Sequence, residues 1–345
     1  MFKIMRRWLA KDMAIDLGTA NTIIYVEGQG IVLNEPSVVA IDKSSDGGQV
    51  RAVGQEAKNM LGRTPGDITV VRPMRNGVID DYRVTEQMLN NFIKKVHGAK
   101  LFTPGPRVII CVPTSSSNVD RRAIKESTLA AGATKVLLLD EPMAAAIGCN
   151  LPVEEPIGSM ILDIGGGTSE VGIISYGGLV YGKSVPVGGD AFDRSIIDYV
   201  RQKYGIAIGE TTSERIKKQI AIAHTSLLGD GQEIQVSGQH VAEGAPRKFT
   251  ISSADIHEAI LRPAEEIVKG VSEGLEKVPP DLAADIAEKG IAMTGGGSLI
   301  SGLDLLIHEK TGVSAMLAED PLTSVARGCG QALQYIDRQN SRLFA

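Results

Sequence analysis

Two acids stand at the ends of apolar runs and are followed at once by glycine and hydroxyl residues. They are Asp16 in MAIDLGTANT, residues 13–22, and Asp163 in MILDIGGGTSE, residues 160–170. Removing Cβ lets consecutive backbone N–H groups close on a polyanion as a nest, so phosphate is the natural guest of such turns. A carboxylate beside phosphate would repel it unless a divalent cation lay between them. Mg²⁺ suits the position, because it takes one or two carboxylates plus phosphate oxygens and keeps several waters. A single turn of this kind is equally a plain hairpin. Two in register, each with Asp, Gly and Thr, favour a shared phosphate ligand.

A third acid, Glu141, lies where VLLLD turns into PMAAAIG, with Pro142 at a first-turn position. An acid there suits the helix dipole whatever its chemistry. By contrast GGLVYGKS, residues 177–184, matches the P-loop expression only formally. A P-loop leaves a strand and opens a helix, whereas here β-type residues fill the loop and VPVGG follows, which predicts a hairpin. No dinucleotide-type GxGxxG starts at Gly165 or Gly295 either, since Glu170 and Ile300 occupy the third glycine positions.

The elements that position these groups repeat. The two opening motifs align without gaps, and MAID, TIIYV and IVL in one part of the chain follow the same order as MILD, EVGII and LVY in the other. Each half is therefore expected to open as a three-stranded meander with tight glycine turns. VLLLDEPMAAAIG and IAMTGGGSLISGLDLL both read as strand, polar turn and helix, and are taken as counterparts. Alternating strands and helices place ligands at the carboxyl ends of strands, so two such halves facing each other enclose a cleft. The expected division is α/β throughout: 13–150 and 151–321, with a linker at 148–159 rich in Pro and Gly. Insertions at about 34–72 and 188–250 form smaller subdomains, and a C-terminal helix within about 322–345 packs back on the first half.

The composition is ordinary for a globular chain of 345 residues, at 43% hydrophobic and 22% charged. A formal charge of −5 leaves no global basic field, which argues against nucleic acid as a partner. The three cysteines, Cys111, Cys149 and Cys329, form no CxxC pair and fit a reducing cytosol. The first twelve residues, MFKIMRRWLAKD, carry a different signal. At about 100° per residue, Met1, Phe2, Ile4, Met5, Trp8 and Leu9 share one face and Lys3, Arg6 and Arg7 the other, the layout of an interfacial helix. A terminal helix packed on its own domain would show the same stripe. So short a helix binds a bilayer weakly in one copy and well in many, so attachment should be coupled to self-association. Leu101 and Phe102, in the Gly- and Pro-marked loop HGAKLFTPGPR, are a second membrane candidate or else a core-packed loop.

The motifs DLGTANT, DEPMAAAIG, DIGGGTSE, ERIK and MTGGGSLISGLD, at these spacings, resemble the superfamily of actin, heat-shock chaperones and sugar kinases. The chain is most similar to its bacterial actins, over nearly all of its length from about residue 12. That resemblance implies a duplicated actin-like (ribonuclease H-like) fold with ATP or ADP and Mg²⁺ in the cleft. It assigns Asp16, Gly18, Thr19, Ala20 and Asn21 to the first phosphate loop and Asp163, Gly165, Gly166, Gly167 and Thr168 to the second. Asp16 and Asp163 would hold the metal, through water. Glu214, Arg215, Ile216 and Lys217 would reach ribose and base, with Gly295, Gly296, Gly297, Ser298 and Leu299 lining the adenosine pocket. Without the resemblance, Glu214 and Lys217 read as an i,i+3 surface ion pair. Glu141 and Thr168 would orient the attacking water. The resemblance further implies a slow ATPase coupled to polymerisation into paired protofilaments. These would lie on the inner face of the cytoplasmic membrane, through Phe2, Met5, Trp8, Leu9, Leu101 and Phe102, and guide the cell-wall elongation machinery and its membrane adaptor proteins in maintaining rod shape. A small-molecule kinase of the same superfamily shares the cleft and is the alternative. A chaperone normally carries a separate substrate domain, which this length excludes.

Overall fold

The computed structural model describes residues 11–44, 49–97, 105–229, 231–337 and 343–344. The apolar alternations fold as two five-stranded sheets. In the first half, β1 (Met13–Leu17), β2 (Asn21–Val26) and β3 (Gly30–Pro36) form the meander. A small sheet follows, with β4 (Val39–Asp42) between β5 (Gln49–Val53) and β6 (Ile68–Val71), and α1 (Gln55–Asn59) beside it. After the two-residue strands β7 (Met74–Arg75) and β8 (Val78–Ile79), helix α2 (Tyr82–His97) leads to β9 (Arg107–Val112). Then come α3 (Asn118–Ala130), β10 (Lys135–Asp140) and α4 (Glu141–Gly148).

The second half repeats the plan. Its meander is β11 (Ser159–Ile164), β12 (Ser169–Ser175) and β13 (Gly178–Val185). The insertion holds α5 (Gly189–Tyr204), β14 (Ile206–Ala207), α6 (Glu210–Ile220), β15 (Glu233–His240) and β16 (Pro246–Ser252). Helices α7 (Ser253–Lys277) and α8 (Pro280–Lys289) precede β17 (Ile291–Thr294), and α9 (Leu303–Thr311), β18 (Ala315–Leu317) and α10 (Ser324–Ala332) complete it. Local signals start two of the helices. Ser117 with Asp120 opens α3 and Ser252 with Asp255 opens α7 as reciprocal capping boxes, each satisfying backbone donors that a helix N-terminus leaves free.

The sheet orders are β10-β9-β1-β2-β3 and, read from the matching edge, β18-β17-β11-β12-β13. In both, the meander is antiparallel and the remaining strands are parallel. This corrects one pairing read from the sequence. IAMT (β17) occupies the place of β9, not of β10. The counterpart of β10 and α4 is β18 with α10, whose three-residue strand is too short for its pattern to show. Helix α4 then lies on β11 and β12 of the other half, and α10 lies on β1, β2 and β9. The two helices cross backbone to backbone: a Cβ on Gly328 would come within 1.8 Å of the Ala144 carbonyl oxygen, and one on Gly148 within 1.8 Å of that of Ser324. A buried cluster of Ala144, Ala145, Cys111, Cys329, Ile161 and Ile174 fills this joint, and each sheet has its own larger core beside it. Leu139, on the edge strand β10, bridges to Phe344 of the C-terminal segment.

Candidate nucleotide site

The glycine turns form the same local structure in each half. Gly18 N–H donates to Asn21 O at 3.1 Å, and Gly165 N–H to Thr168 O at 2.8 Å. The fold then brings the two turns together. A Cβ on Gly166 would lie 2.6 Å from Ala20 Cβ, and one on Gly167 would lie 2.7 Å from Thr19 Oγ1. Only residues without side chains allow that approach. Thr19 Oγ1 accepts from Gly77 N–H at 3.1 Å, which ties the first turn to the loop between β7 and β8. Behind the second turn, Gly189 N–H and Asp190 N–H donate to the carbonyls of Gly165 and Gly166, at 2.9 and 2.8 Å, so the start of α5 is stacked on it.

Asp16 and Asp163 end their central strands at this meeting point. Burial raises Asp16 to about 7, and burial followed by the charges of Asp16 and Glu170 raises Asp163 to about 8. Glu141 is buried at the first turn of α4 and is raised by burial, then by Glu170, Asp16 and Asp163. Several carboxylates thus share a desolvated space and disfavour one another's ionisation. A dication would reverse that. Among the described residues no three His, Cys, Asp or Glu side chains form a metal cage. Two carboxylates supplemented by phosphate oxygens and water therefore suit the donor set, which is the habit of Mg²⁺.

The base-side candidates fall on two segments. Gly295 takes φ +82°, and a Cβ there would come within 2.3 Å of Ile164 O and 2.4 Å of Asp163 Oδ1, so the Gly295–Leu299 strip is pressed onto the second strand end. Ser298 is buried and its hydroxyl donates to Gly295 O, while Leu299 is 51% exposed. Glu214 and Lys217 are not partners of each other. Glu214 pairs with Lys58 at 3.4 Å and Lys218 at 2.7 Å, and Lys217 with Asp193 at 2.8 Å. Lys217 Nζ also donates to Gly189 O, the residue whose own N–H holds the Gly165 carbonyl. Arg215 is exposed, whereas Ile216 is fully buried in the core of the second half, so its side chain points away from the cleft. The membrane candidates Phe2, Met5, Trp8, Leu9, Leu101 and Phe102 lie outside the described residues.

Three neighbours of the site escaped the sequence reading. Leu322, 58% exposed, approaches the Gly296 position at 3.4 Å and offers an apolar group to the Gly295–Leu299 strip. Thr114 follows β9 and reaches across to the other half, and Glu170 on β12 receives it. Aligning Ile23 on Glu170 in the repeat would have marked the last. The false P-loop match has a structural explanation as well: Gly182 lies in β13 and makes room for the Thr114 methyl, 3.0 Å from where its Cβ would be.

A duplicated α/β fold whose two phosphate-type turns meet over paired aspartates defines the actin-like class of nucleotide-cleft ATPases. The family model described as MreB/Mbl protein matches residues 10–341, and the chain belongs to that family. It is 54% identical over 347 residues to the cell shape-determining protein MreB of Escherichia coli (strain K12), covering 100% of this chain and 99% of that one. It is 44% identical over 333 residues to the cell shape-determining protein Mbl of Bacillus subtilis (strain 168), covering 96% and 98%. Among solved structures, MreB5 of Spiroplasma citri bound to ADP superposes with a TM-score of 0.89 at 34% identity, over 95% of this chain and 97% of that one. The same protein bound to AMPPNP superposes equally. The MamK double helical filament, at 19% identity and a TM-score of 0.79, shares the fold.

Proposed function

We propose that this chain binds ATP between its halves, hydrolyses it slowly in the presence of Mg²⁺ and polymerises into filaments that organise cell-wall elongation. The observation that carries this reading is the contact of the two turns, Gly166 on Ala20 and Gly167 on Thr19, beside the half-buried Asp16 and the buried Asp163. Backbone donors of both turns, from Gly18 to Asn21 and from Gly165 to Thr168, would cradle the phosphates. Asp16 and Asp163 would hold Mg²⁺ through water, and the metal would supply neutralising charge to the phosphate oxygens. The strip Gly295–Leu299, with Leu322, would hold the adenosine, and Glu214 would leave Lys58 for the ribose. Glu141, with Thr168, would orient the attacking water. Phosphoryl transfer needs positioning and charge stabilisation more than a strong base, so a buried carboxylate with a raised pKa suffices as an acceptor that fixes the water.

Filament formation, through paired protofilaments, rests on membership of a family whose relatives are named for cell shape. Attachment to the inner face of the membrane rests on the amphipathic pattern of residues 1–12, with Leu101 and Phe102, and membrane adaptor proteins would be its partners. Among the described residues no helix is long and apolar enough to cross a membrane, so attachment would be peripheral. Sedimentation of the full chain with ATP, beside phosphate release with and without sugar acceptors, tests the reading. Pelleting with phosphate release and no acceptor phosphorylation is expected. Phosphorylation of a sugar without pelleting would instead establish the kinase alternative.

A further inference from the structure

The internal repeat supplies a control for each residue of the site. Asp16 pairs with Ile23 across β1 and β2, and Asp163 pairs with Glu170 across β11 and β12, in the same register. Both partners are buried, Ile23 at 4% and Glu170 at 1% exposure. The fold is therefore satisfied there by an aliphatic side chain. Placing an acid directly opposite another acid, away from water, costs stability, and a carboxylate retained at that cost has work other than packing.

Its contacts indicate the work. Glu170 Oε2 accepts from both the backbone N–H and the hydroxyl of Thr114, at 3.1 and 2.8 Å, and Thr114 belongs to the opposite half. Glu170 Oε1 is buried and has no hydrogen-bond partner among the described residues. Two residues further along β12, on the same face, Gly172 lies beneath Pro142, whose Cβ would be 2.4 Å from a Cβ on that glycine. The first turn of α4 thus rides directly on this strand, close enough for the charge of Glu170 to act on Glu141. The corner at Pro113 and Thr114 is wedged between Gly77 on one side and Gly182 on the other.

We propose that Glu170 is a cross-cleft positioning residue for hydrolysis: by clamping Thr114 of the half that carries Glu141, it makes the placement of the water-orienting carboxylate depend on the angle between the halves. The inference rests on the ATPase reading above. In it, Glu170 touches neither nucleotide nor reacting atoms. Its removal therefore lowers kcat and leaves KM for ATP unchanged.

The repeat's own residue provides the test. Glu170→Ile should melt within a few degrees of the wild type or above it, since replacing buried charge by a fitting aliphatic group is often neutral or stabilising. Its kcat for phosphate release should fall about 10- to 100-fold, the scale on which small misplacements act, with KM within about threefold. Glu170→Gln keeps an acceptor for Thr114 and should recover to within about threefold of wild-type kcat. Thr114→Val should lower kcat in the same sense, and the double variant Thr114→Val with Glu170→Ile should be no slower than Glu170→Ile alone. If the wild type releases no phosphate, the ATPase reading falls and this inference with it. If the wild type is active and Glu170→Ile matches it, only the inference falls. Equal loss in the Ile and Gln variants with KM raised in both would make Glu170 a ligand of nucleotide or metal, and independent effects of Thr114 and Glu170 would break the clamp; either overturns the proposal.

Discussion

In the first half an isoleucine faces the strand-end aspartate and a tyrosine, Tyr25, follows two residues on; in the second half a glutamate and a glycine take those places. Tyr25 is accommodated because α10 is thinned at Gly330, whose Cβ would meet the ring at 2.5 Å, whereas Gly172 accommodates a bulky Pro142 on α4. Size is exchanged between strand and helix, so each interface pairs one glycine with one ring. Charge is not exchanged: the acid pair occurs only in the second half, beside the helix that carries Glu141. The comparison separates what the duplicated scaffold requires from what the chemistry requires.

The largest expected effect lies on the chemical side. Glu141→Ala should keep ATP binding and slow phosphate release by about 10²–10⁴; phosphate release at the wild-type rate would remove Glu141 from the mechanism. Next is the scaffold's shared joint. Gly328→Ala forces a methyl into the Ala144 carbonyl, a backbone atom that cannot swing aside, and should cost about 3 kcal/mol in denaturant unfolding. Gly182→Ala meets the ends of the Leu179 and Thr114 side chains and should cost about 1 kcal/mol.

A pH series sharpens the same contrast. Asp16 and Asp163 are raised in the folded chain to about 7 and about 8 from an ordinary value of 3.8. The folded state therefore binds more protons than the unfolded one between those values. Metal-free protein should lose stability as pH rises from about 4 to about 8, by up to about 1.4 kcal/mol per pH unit for each carboxylate that must ionise. Urea midpoints should show a shallower slope for Asp163→Asn. The smallest effect belongs to the rim, where Arg72 pairs with Asp190 at 3.3 Å and Glu210 at 3.0 Å across the cleft. Those groups are solvated, so Arg72→Ala should change thermal stability by under about 1 kcal/mol, and less in high salt.

Much of the fold was legible because its signals are local. The gapless alignment of MAIDLGTANT on MILDIGGGTSE gave both meanders, and the strand–turn–helix patterns of VLLLDEPMAAAIG and IAMTGGGSLISGLDLL gave α4 and the segment leading to α9. The pairing of β10 with β18 was not legible, since a three-residue strand carries no period and its place is set by α10 crossing to the other sheet. In the site, residues adjacent in sequence to the glycine turns carry a local signal. Thr114 and Leu322 carry none, because they sit in loops whose role depends on how the halves face each other. Glu170 was visible only as an obstacle to a dinucleotide motif until its repeat partner, Ile23, was placed opposite Asp16.

The central claim is that both turns serve one ligand. Two equivalent phosphate-type turns in one chain could instead bind two nucleotides separately, so stoichiometry decides. Calorimetric titration of the full chain with ATP in the presence of Mg²⁺ should give one site per chain; two sites per chain, or no binding at all, would contradict the account.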